Sequence, residues 1–262
     1  MFTPLSSFLP HDLVLCPTSL HITPFSAAEV SASIARLNLR KAPGYDLIAG
    51  KVLQELPPAA VGLLTTIYNS ILRLSYYPLL WKFAQIVMLP KPGKPPYDVA
   101  SYRPISLLPI ASKVFEKLLL KRLRSDVEIS HVIPSYQFGF RTGHSPIQQA
   151  HRVVNETVTS LEERALCTAV FLDVAQAFDK VWHIGLLYKL KNSLPGPYYL
   201  LLQSYLSDRY FQIRYNGMCN ESYEVRSGVP QGGVLGHLLC LLFTADLQPT
   251  DYTTIATFAR GS

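Results

Sequence analysis

Cysteine is scarce in this sequence, and no paired cysteine motif is present. Among 262 residues there are four cysteines, Cys16, Cys167, Cys219 and Cys240, and no CxxC pair joins any of them. This pattern suggests neither a zinc knuckle nor a disulfide framework. We therefore expect reduced thiols and an intracellular protein, either nuclear or cytoplasmic.

Long apolar runs and targeting signals are lacking as well. The longest apolar stretch, GVLGHLLCLLF from Gly233, is too short to span a bilayer and contains His237. The N-terminal MFTPLSSFLP does not have the basic start of a signal peptide. We expect no membrane partner, and the sequence gives no indication of the oligomeric state.

Acidic residues are outnumbered by basic ones. The chain has 24 Lys and Arg against 18 Asp and Glu, a formal net charge of +6. This balance favours anionic partners such as nucleic acid, although many enzymes share it. With 48% hydrophobic residues, the chain can build a substantial core in one large domain or two small ones.

Several common catalytic motifs are missing. The glycine-rich SGVPQGGVLG from Ser227 lacks the Gly-Lys-Ser/Thr ending of a Walker loop, and the sequence has no HExxH or GxSxG. An aspartyl-phosphate site is excluded because Ala175 stands where a second acid would follow Asp173. The SGVPQGG segment suits close approach to a nucleotide or template, but it is equally compatible with a plain turn.

Helical periodicity alternates with strand and turn patterns, which predicts a mixed α and β fold. Ser26 and Glu29 form a capping box, and Ser145 followed by Pro146 starts another helix. The remaining predicted elements are helices around residues 63–74 and 114–122, a strand at 82–90, and a hairpin formed by FQIRYNG and ESYEVRSG.

The segment TAVFLD, residues 168–173, ends an apolar run on an acid. The run predicts a buried strand, with Asp173 at the end where the strand meets solvent. Such an aspartate can bind Mg²⁺, but capping of the next helix is an equally good interpretation. Phosphoryl transfer uses two cations about 3.5–4 Å apart, so one carboxylate is not enough. We expect Asp179 in the first turn of that helix, where it complements the dipole.

Five sequence motifs occur in a fixed order along the chain. They are KAPGYDLI, LPKPGKPPYDVASYRPISLLPIASKVFEKLLLKRL, QFGFRTGHSPIQQAHRV, FLDVAQAFDKVWHIGLLYKL and SGVPQGGVLGHLLCLLF. This order resembles the reverse transcriptase of non-LTR retrotransposons, particularly the jockey-like mobile elements of insects. KAPGYDLI is similar to the family's KxPGxDGI, with Leu47 in place of the usual glycine. The resemblance covers residues 25–259.

The resemblance implies an α/β (α+β) right-hand polymerase with fingers and palm. The palm sheet would be partly antiparallel and backed by helices, and the thumb would be absent. We expect an irregular lead-in at residues 1–25, N-terminal helices and fingers at 26–165, and an incomplete palm at 166–262.

The resemblance also implies roles for individual residues. Asp173 would be the catalytic, metal-binding carboxylate, and the backbone of Val174 would help to seat Mg²⁺. Phe178 would stand under the sugar of the incoming nucleotide and exclude a 2′-hydroxyl. Without the motif order, Phe178 would be interpreted as a core residue.

Four further residues would bind the nucleotide. Lys91 and Arg103 would grip the triphosphate, and Gln231 and Gly232 would contact the template and the nucleotide pocket. Without the motif order, Lys91 and Arg103 would be interpreted as solvated loop charges.

The sequence departs from the family at its C-terminal end. The family continues with Ala-Asp-Asp, whereas this chain reads TTIATFARGS, with Arg260 and Gly261 at the positions of the two aspartates. Asp251 precedes Phe258 by seven residues, about 20 Å in an extended strand, and cannot replace them. The Mg²⁺ site is therefore expected to be incomplete and this chain to be inactive alone.

Two functions follow from these observations. The first is RNA-directed DNA synthesis by two-metal nucleotidyl transfer onto a primer 3′-OH, with an RNA template, a DNA primer and deoxynucleoside triphosphates as partners. The alternative is a non-catalytic remnant that binds nucleic acid through its basic fingers.

Overall fold

The computed structural model of this chain describes residues 22–98, 101–129, 132–141, 143–172, 174, 176–215, 217–247, 250 and 253–257. These segments contain eight α-helices and a five-stranded sheet. The expected α/β class is confirmed. None of the described helices has both the length and the apolar character needed to cross a bilayer.

Four helices form the N-terminal part. They are α1 (Ala27–Ala35), α2 (Gly50–Gln54), α3 (Pro58–Leu74) and α4 (Ile110–Ile129). The predicted capping box starts α1, since Ser26 Oγ accepts from Glu29 N at 3.2 Å and the Glu29 carboxylate accepts from Ser26 N at 3.0 Å. Helix α1 packs against both α3 and α4.

The sheet joins distant parts of the chain. Its strands are β1 (Phe83–Pro90), β2 (Tyr102–Leu107), β3 (Tyr210–Tyr215), β4 (Met218–Cys219) and β5 (Tyr223–Glu224). The order is β2-β1-β3-β4, and β5 also pairs with β3. Strands β1 and β2 are antiparallel, β1 and β3 are parallel, and β3 forms the predicted antiparallel hairpin with β4 and β5. The edge strand β2 contains Pro104, a residue that sheets tolerate at their edges.

The other helices are α5 (Pro146–Glu162), α6 (His183–Ser193), α7 (Gly196–Leu206) and α8 (Gly236–Phe243). Helix α5 begins at the predicted cap, where Ser145 Oγ accepts from Gln148 N at 3.2 Å. Helix α6 packs against α7 and α8.

One apolar core includes residues from both halves of the chain. Phe115 of α4 packs on Tyr68 of α3 with ring centroids 5.5 Å apart, and on Tyr77 at 6.0 Å. Tyr77 in turn meets Tyr205 of α7 edge-on at 4.9 Å. Helices α3 and α4 of the first half of the chain and α7 of the second half therefore pack around shared aromatic rings.

The prediction of a buried strand at TAVFLD is wrong. Residues 165–172 have no regular secondary structure, and Val170, Phe171 and Leu172 are 76%, 87% and 89% exposed. A strand requires a hydrogen-bonded neighbour, and within the described part of the chain no strand pairs with this segment. An apolar run shows which residues could be buried, but it does not show whether another strand is available to pair with them.

The predicted position of Asp179 is also wrong. Asp179 lies in a turn at residues 176–180, and α6 begins only at His183, with Trp182 as its N-cap. Its carboxyl therefore lies outside the first turn of the helix. Burial by neighbouring atoms raises the pKa of this carboxyl above its ordinary value.

Candidate functional site

The SGVPQGG loop, residues 227–233, is fixed at its start to the turn that bears Phe178. Gly228 N donates to Val181 O at 2.8 Å, and Val229 N donates to Phe178 O at 2.8 Å. Gly228 has a φ of +86°, and a Cβ there would lie 2.9 Å from the Phe178 carbonyl oxygen. Glycine is required at this position both for its backbone conformation and for the close contact.

The end of the same loop is fixed to strand β2. Ser106 N donates to Gln231 O at 2.7 Å. Gly232 has a φ of +118°, and a Cβ there would lie 2.7 Å from Ser106 O. Arg103 is three residues before Ser106 on β2, about 10 Å along the strand. Gln231 and Gly232 are therefore held beside the strand that carries Arg103.

A buried carboxylate holds the exit of the loop. Glu116 of α4 is fully buried, and its Oε2 accepts from Val234 N at 2.7 Å and from Leu235 N at 3.2 Å. Its Oε1 accepts from the Tyr77 hydroxyl at 2.9 Å. Burial, followed by the negative charge of Glu116, raises the pKa of Tyr77 well above its ordinary value, so the hydroxyl stays protonated. Hydrogen bonds to a charged acceptor are among the stronger ones in proteins.

Lys91 and Arg103 lie on one face of the β1–β2 hairpin. Leu89 is paired with Arg103, and Lys91 N donates to Ser101 O at 2.7 Å, which continues the pairing beyond the strand end. Directly paired residues share a face, and so do residues two apart on a strand. Lys91 and Arg103 are thus diagonal neighbours, with Cα atoms about 7–8 Å apart. Both are partly exposed.

Phe178 is a partly buried member of an aromatic cluster. Its ring centroid lies 5.2 Å from that of His237 and 6.3 Å from that of Phe140. Phe140 and His237 are 4.3 Å apart. Burial, followed by the positive charge of Arg124, lowers the pKa of His237. The ring of Phe178 packs as a core residue would, while its backbone holds the loop that carries Gln231.

The predicted metal ligands are not brought together by the described residues. Asp173 lies outside the described residues, as do Arg260 and Gly261, and Val174 is 63% exposed without regular secondary structure. In the part of the chain that the structure describes, no group of three His, Cys, Asp or Glu side chains could hold a metal ion. The described residues therefore do not fit a Mg²⁺ site by themselves.

The segment at residues 253–257 lies against the QFGF motif. Thr257 forms a parallel bridge with Gln137, and Phe138 N donates to Thr257 O at 3.1 Å. The buried Gln149 of α5 donates from Nε2 to Tyr136 O at 2.9 Å and to Thr257 O at 3.2 Å. One buried amide thus fixes the C-terminal described segment to the chain between α4 and α5.

Sequence reasoning missed Glu116 and a basic cavity. The cavity has a volume of about 400 Å³, and its wall includes Gly232 and Gly233. A charged residue among the apolar positions of α4 could have indicated Glu116, because buried carboxylates are rare unless they have partners. No local sequence pattern predicts the cavity, because its basic residues come from separate segments of the chain. These residues are Arg36, Lys41, Lys113, Lys117 and Arg124.

Comparison with known proteins identifies the family. The family model described as reverse transcriptase (RNA-dependent DNA polymerase) matches residues 89–254, more than half of the chain. A probable RNA-directed DNA polymerase from transposon X-element of Drosophila melanogaster is 46% identical over 243 residues, which are 91% of this chain and 27% of that protein. The RNA-directed DNA polymerase from mobile element jockey of the same organism is 43% identical over 229 residues, 87% of this chain and 25% of the relative.

A second jockey polymerase, from Drosophila funebris, is 41% identical over 252 residues, 96% of this chain and 26% of that protein. The chain spans about a quarter of the length of these curated relatives. The motif order, the mixed α/β fold and these matches agree: the chain belongs to the reverse transcriptase family and is similar to the polymerases of jockey-like non-LTR mobile elements.

Proposed function

We propose that this chain forms the fingers and part of the palm of an RNA-directed DNA polymerase of a mobile element. In this proposal residues 26–165 supply the N-terminal helices and fingers, and residues 166–262 belong to the palm. The observation that carries it is the double attachment of the SGVPQGG loop. Gln231 O is bound to β2 and Val229 N to Phe178 O, so motifs more than 100 residues apart meet in one place.

The proposed ligands are an RNA template, a DNA primer and a deoxynucleoside triphosphate. Lys91 and Arg103 share one face of the hairpin and would bind the triphosphate. The planar guanidinium of Arg103 matches two phosphate oxygens at once, whereas the Lys91 ammonium acts as a compact charge. Gln231 and Gly232 would contact the template and the nucleotide, and Phe178 would stand under the sugar.

The proposed reaction is nucleotidyl transfer onto a primer 3′-OH. Mg²⁺, when bound, would supply charge stabilisation for the attacking and leaving oxygens. The assignment of Asp173 and Val174 to that metal rests on the motif resemblance. The chain's own described residues contribute the positioning of phosphate, sugar and template.

The alternative of a non-catalytic nucleic-acid-binding remnant is not favoured. The matching family model and the names of the similar mobile-element proteins are those of polymerases. Nucleic-acid binding is in any case part of the polymerase proposal, so binding alone does not support the remnant.

Photo-crosslinking of a deoxynucleotide tests the proposed site. A photoreactive deoxyuridine triphosphate should label the hairpin of the purified chain. The Lys91→Gln, Arg103→Gln double variant should lose about nine tenths of that label, because both phosphate contacts are removed. Lys51→Gln, in an exposed position of α2, is the control and should label like the unaltered chain. Equal labelling of the double variant would contradict the proposal.

We infer separately that this chain does not extend a primer by itself. Arg260 and Gly261 stand where the resembled family has two aspartates, and a guanidinium at that point would repel divalent cations. A primer-extension assay with an RNA template and Mg²⁺ should give no product above background. Template-dependent synthesis by the purified chain would overturn this inference.

A further inference from the structure

His183 binds the start of the SGVPQGG loop. It is the first residue of α6, and its Nε2 lies 2.7 Å from Gly228 O, across 45 residues of sequence. A carbonyl oxygen only accepts hydrogen bonds, so this ring nitrogen carries a hydrogen and donates it. The ring is partly buried. His183 thus forms a specific contact with the loop that carries Gln231 and Gly232.

The contact completes the restraint of one peptide group. The peptide between Gly228 and Val229 accepts from His183 at its carbonyl oxygen and donates from Val229 N to Phe178 O at 2.8 Å. A trans peptide group is planar, with its C=O and N–H pointing in opposite directions. Hydrogen bonds at both ends therefore fix the orientation of the plane, and His183 holds the carbonyl end.

This peptide needs an outside restraint because it follows a glycine. Gly228 has a φ of +86°, and a glycine limits the rotation of the next peptide less than any other residue does. The next two residues are stiff instead, since Pro230 has a fixed φ and Val229, which precedes it, is biased to extended conformations. A rotation at Gly228 is therefore transmitted to Gln231, three residues or about 10 Å further on.

Ser106 holds the other end of this span. Its backbone N–H binds the carbonyl oxygen of Gln231, and Gly232 follows directly. With that end fixed to β2, the Gly228 end determines the direction in which the chain enters Gln231. The hydrogen bond from His183 and the hydrogen bond from Ser106 together define how Gln231 and Gly232 are presented.

We propose that His183 is a positioning residue of the nucleotide site, which acts through Gly228 to place Gln231 and Gly232 against the incoming nucleotide. The inference rests on the proposed function, because that function assigns the nucleotide to Gln231 and Gly232. His183 does not itself contact the nucleotide in this arrangement, since its Nε2 hydrogen is already bonded to Gly228 O.

Three substitutions separate the donor from the ring. His183→Gln keeps an N–H close to the position of Nε2, His183→Asn carries its N–H nearer to the backbone, and His183→Phe keeps a ring without a donor. The readout is the concentration of photoreactive deoxyuridine triphosphate that gives half-maximal labelling. It should rise about five- to tenfold in His183→Asn and His183→Phe, and it should stay within about twofold of the unaltered chain in His183→Gln.

Amide hydrogen exchange tests the positioning without a nucleotide. In His183→Phe the Val229 N–H should exchange about tenfold faster, because one end of its peptide group is released. The N–H groups of Val234 and Leu235 bind Glu116 at the other end of the loop and should exchange as in the unaltered chain. Equal acceleration of all three amides would show a loss of global stability and would overturn the proposal.

His151→Phe is the matched control, because His151 is exposed on α5. It should change neither the half-maximal concentration nor the exchange of Val229. If His183→Phe does not fold, the comparison of His183→Gln with His183→Asn decides, and the same amides are compared in His183→Asn.

The labelling experiment separates this inference from the proposed function. Equal half-maximal concentrations in the unaltered chain, His183→Gln and His183→Asn would overturn the role of His183 and leave the proposed function intact. Absence of label on the β1–β2 hairpin of the unaltered chain would instead overturn the proposed function, and the positioning role of His183 with it.

Discussion

Glu116 Oε2 lies 2.7 Å from Val234 N, across 118 residues of sequence. The contact joins the buried face of α4 to the residues that lead from the SGVPQGG loop into α8. Because Glu116 is fully buried, its charge is satisfied only by the groups it contacts. The loop that carries Gln231 and Gly232 is therefore positioned from within the core.

Replacing this carboxylate should destabilise the fold. In Glu116→Gln the acceptor loses its charge, and the amide nitrogen must face either Tyr77 Oη or the backbone N–H groups. We expect a loss of about 2 kcal/mol in the free energy of unfolding, because hydrogen bonds to charged groups are being weakened. Urea denaturation measures the change.

Glu156→Gln is the matched control for that experiment. Glu156 is exposed on α5, and the same substitution there should change the free energy of unfolding by less than about 0.5 kcal/mol. If the two variants unfold at the same urea concentration, Glu116 does not hold the loop.

Gly228 should not tolerate a side chain. Alanine at its φ of +86° is strained, and the Cβ would lie 2.9 Å from Phe178 O. We expect Gly228→Ala to cost about 2 kcal/mol. In Gly62→Ala, nothing lies within 4 Å of the new Cβ in the interior of α3, and we expect a gain of about 0.5–1 kcal/mol. Thermal unfolding measures both changes: the melting temperature should fall in Gly228→Ala and rise in Gly62→Ala.

Cys240 should react more slowly than the exposed cysteines. Burial, followed by the negative charge of Asp179, raises the pKa of its thiol to about 11. At about pH 8 only about one thousandth of it is the reactive thiolate. Mass spectrometry after brief iodoacetamide treatment should show Cys167 and Cys219, both exposed, modified first. Modification of Cys240 at the same rate in the folded protein would be evidence against the burial of its thiol.

His237 should make the fold sensitive to acid. Burial and Arg124 lower its pKa, so the folded state favours the neutral ring. That contribution is complete above the unfolded value of 6.5 and is lost as the pH falls through the lower folded value. His237→Phe should therefore lose less stability than the unaltered chain between about pH 7 and about pH 5.

The control for acid sensitivity is His151→Phe. His151 is exposed on α5, and its replacement should leave the pH dependence of unfolding unchanged. Urea denaturation at about pH 7 and about pH 5 measures how far the free energy of unfolding falls for each of the three proteins. An equal fall in all three would rule out a contribution from His237.

Elements with local signals can be predicted from this sequence. The caps at Ser26 and Ser145 depend on residues three positions away, and both helices start where those residues indicate. Strand β2 is not predicted from the sequence, because Pro104 argues against a strand. A strand at the edge of a sheet nevertheless tolerates proline. The segment TAVFLD shows the converse, since its apolar run is a strand only if another strand pairs with it.

In the candidate site, too, some features are predicted by local sequence patterns and others depend on contacts between distant segments. Alternation places Lys91 and Arg103 on one face once the hairpin register is known. The contacts of Glu116 and the lining of the basic cavity depend on how α4 packs against loops far away in sequence. No local pattern specifies that packing, because each cation alone is compatible with a solvated surface.

The outer side of β2 illustrates how the proline and the loop act together. Ser106 N points away from β1 and donates to Gln231 O, and Pro104, two residues earlier, would present its N–H on the same side if it had one. The outward N–H of Ser106 is therefore already hydrogen-bonded, and Pro104 has no N–H to donate. Along this stretch a second molecule cannot add a strand of its own, so the edge is protected against intermolecular pairing and aggregation.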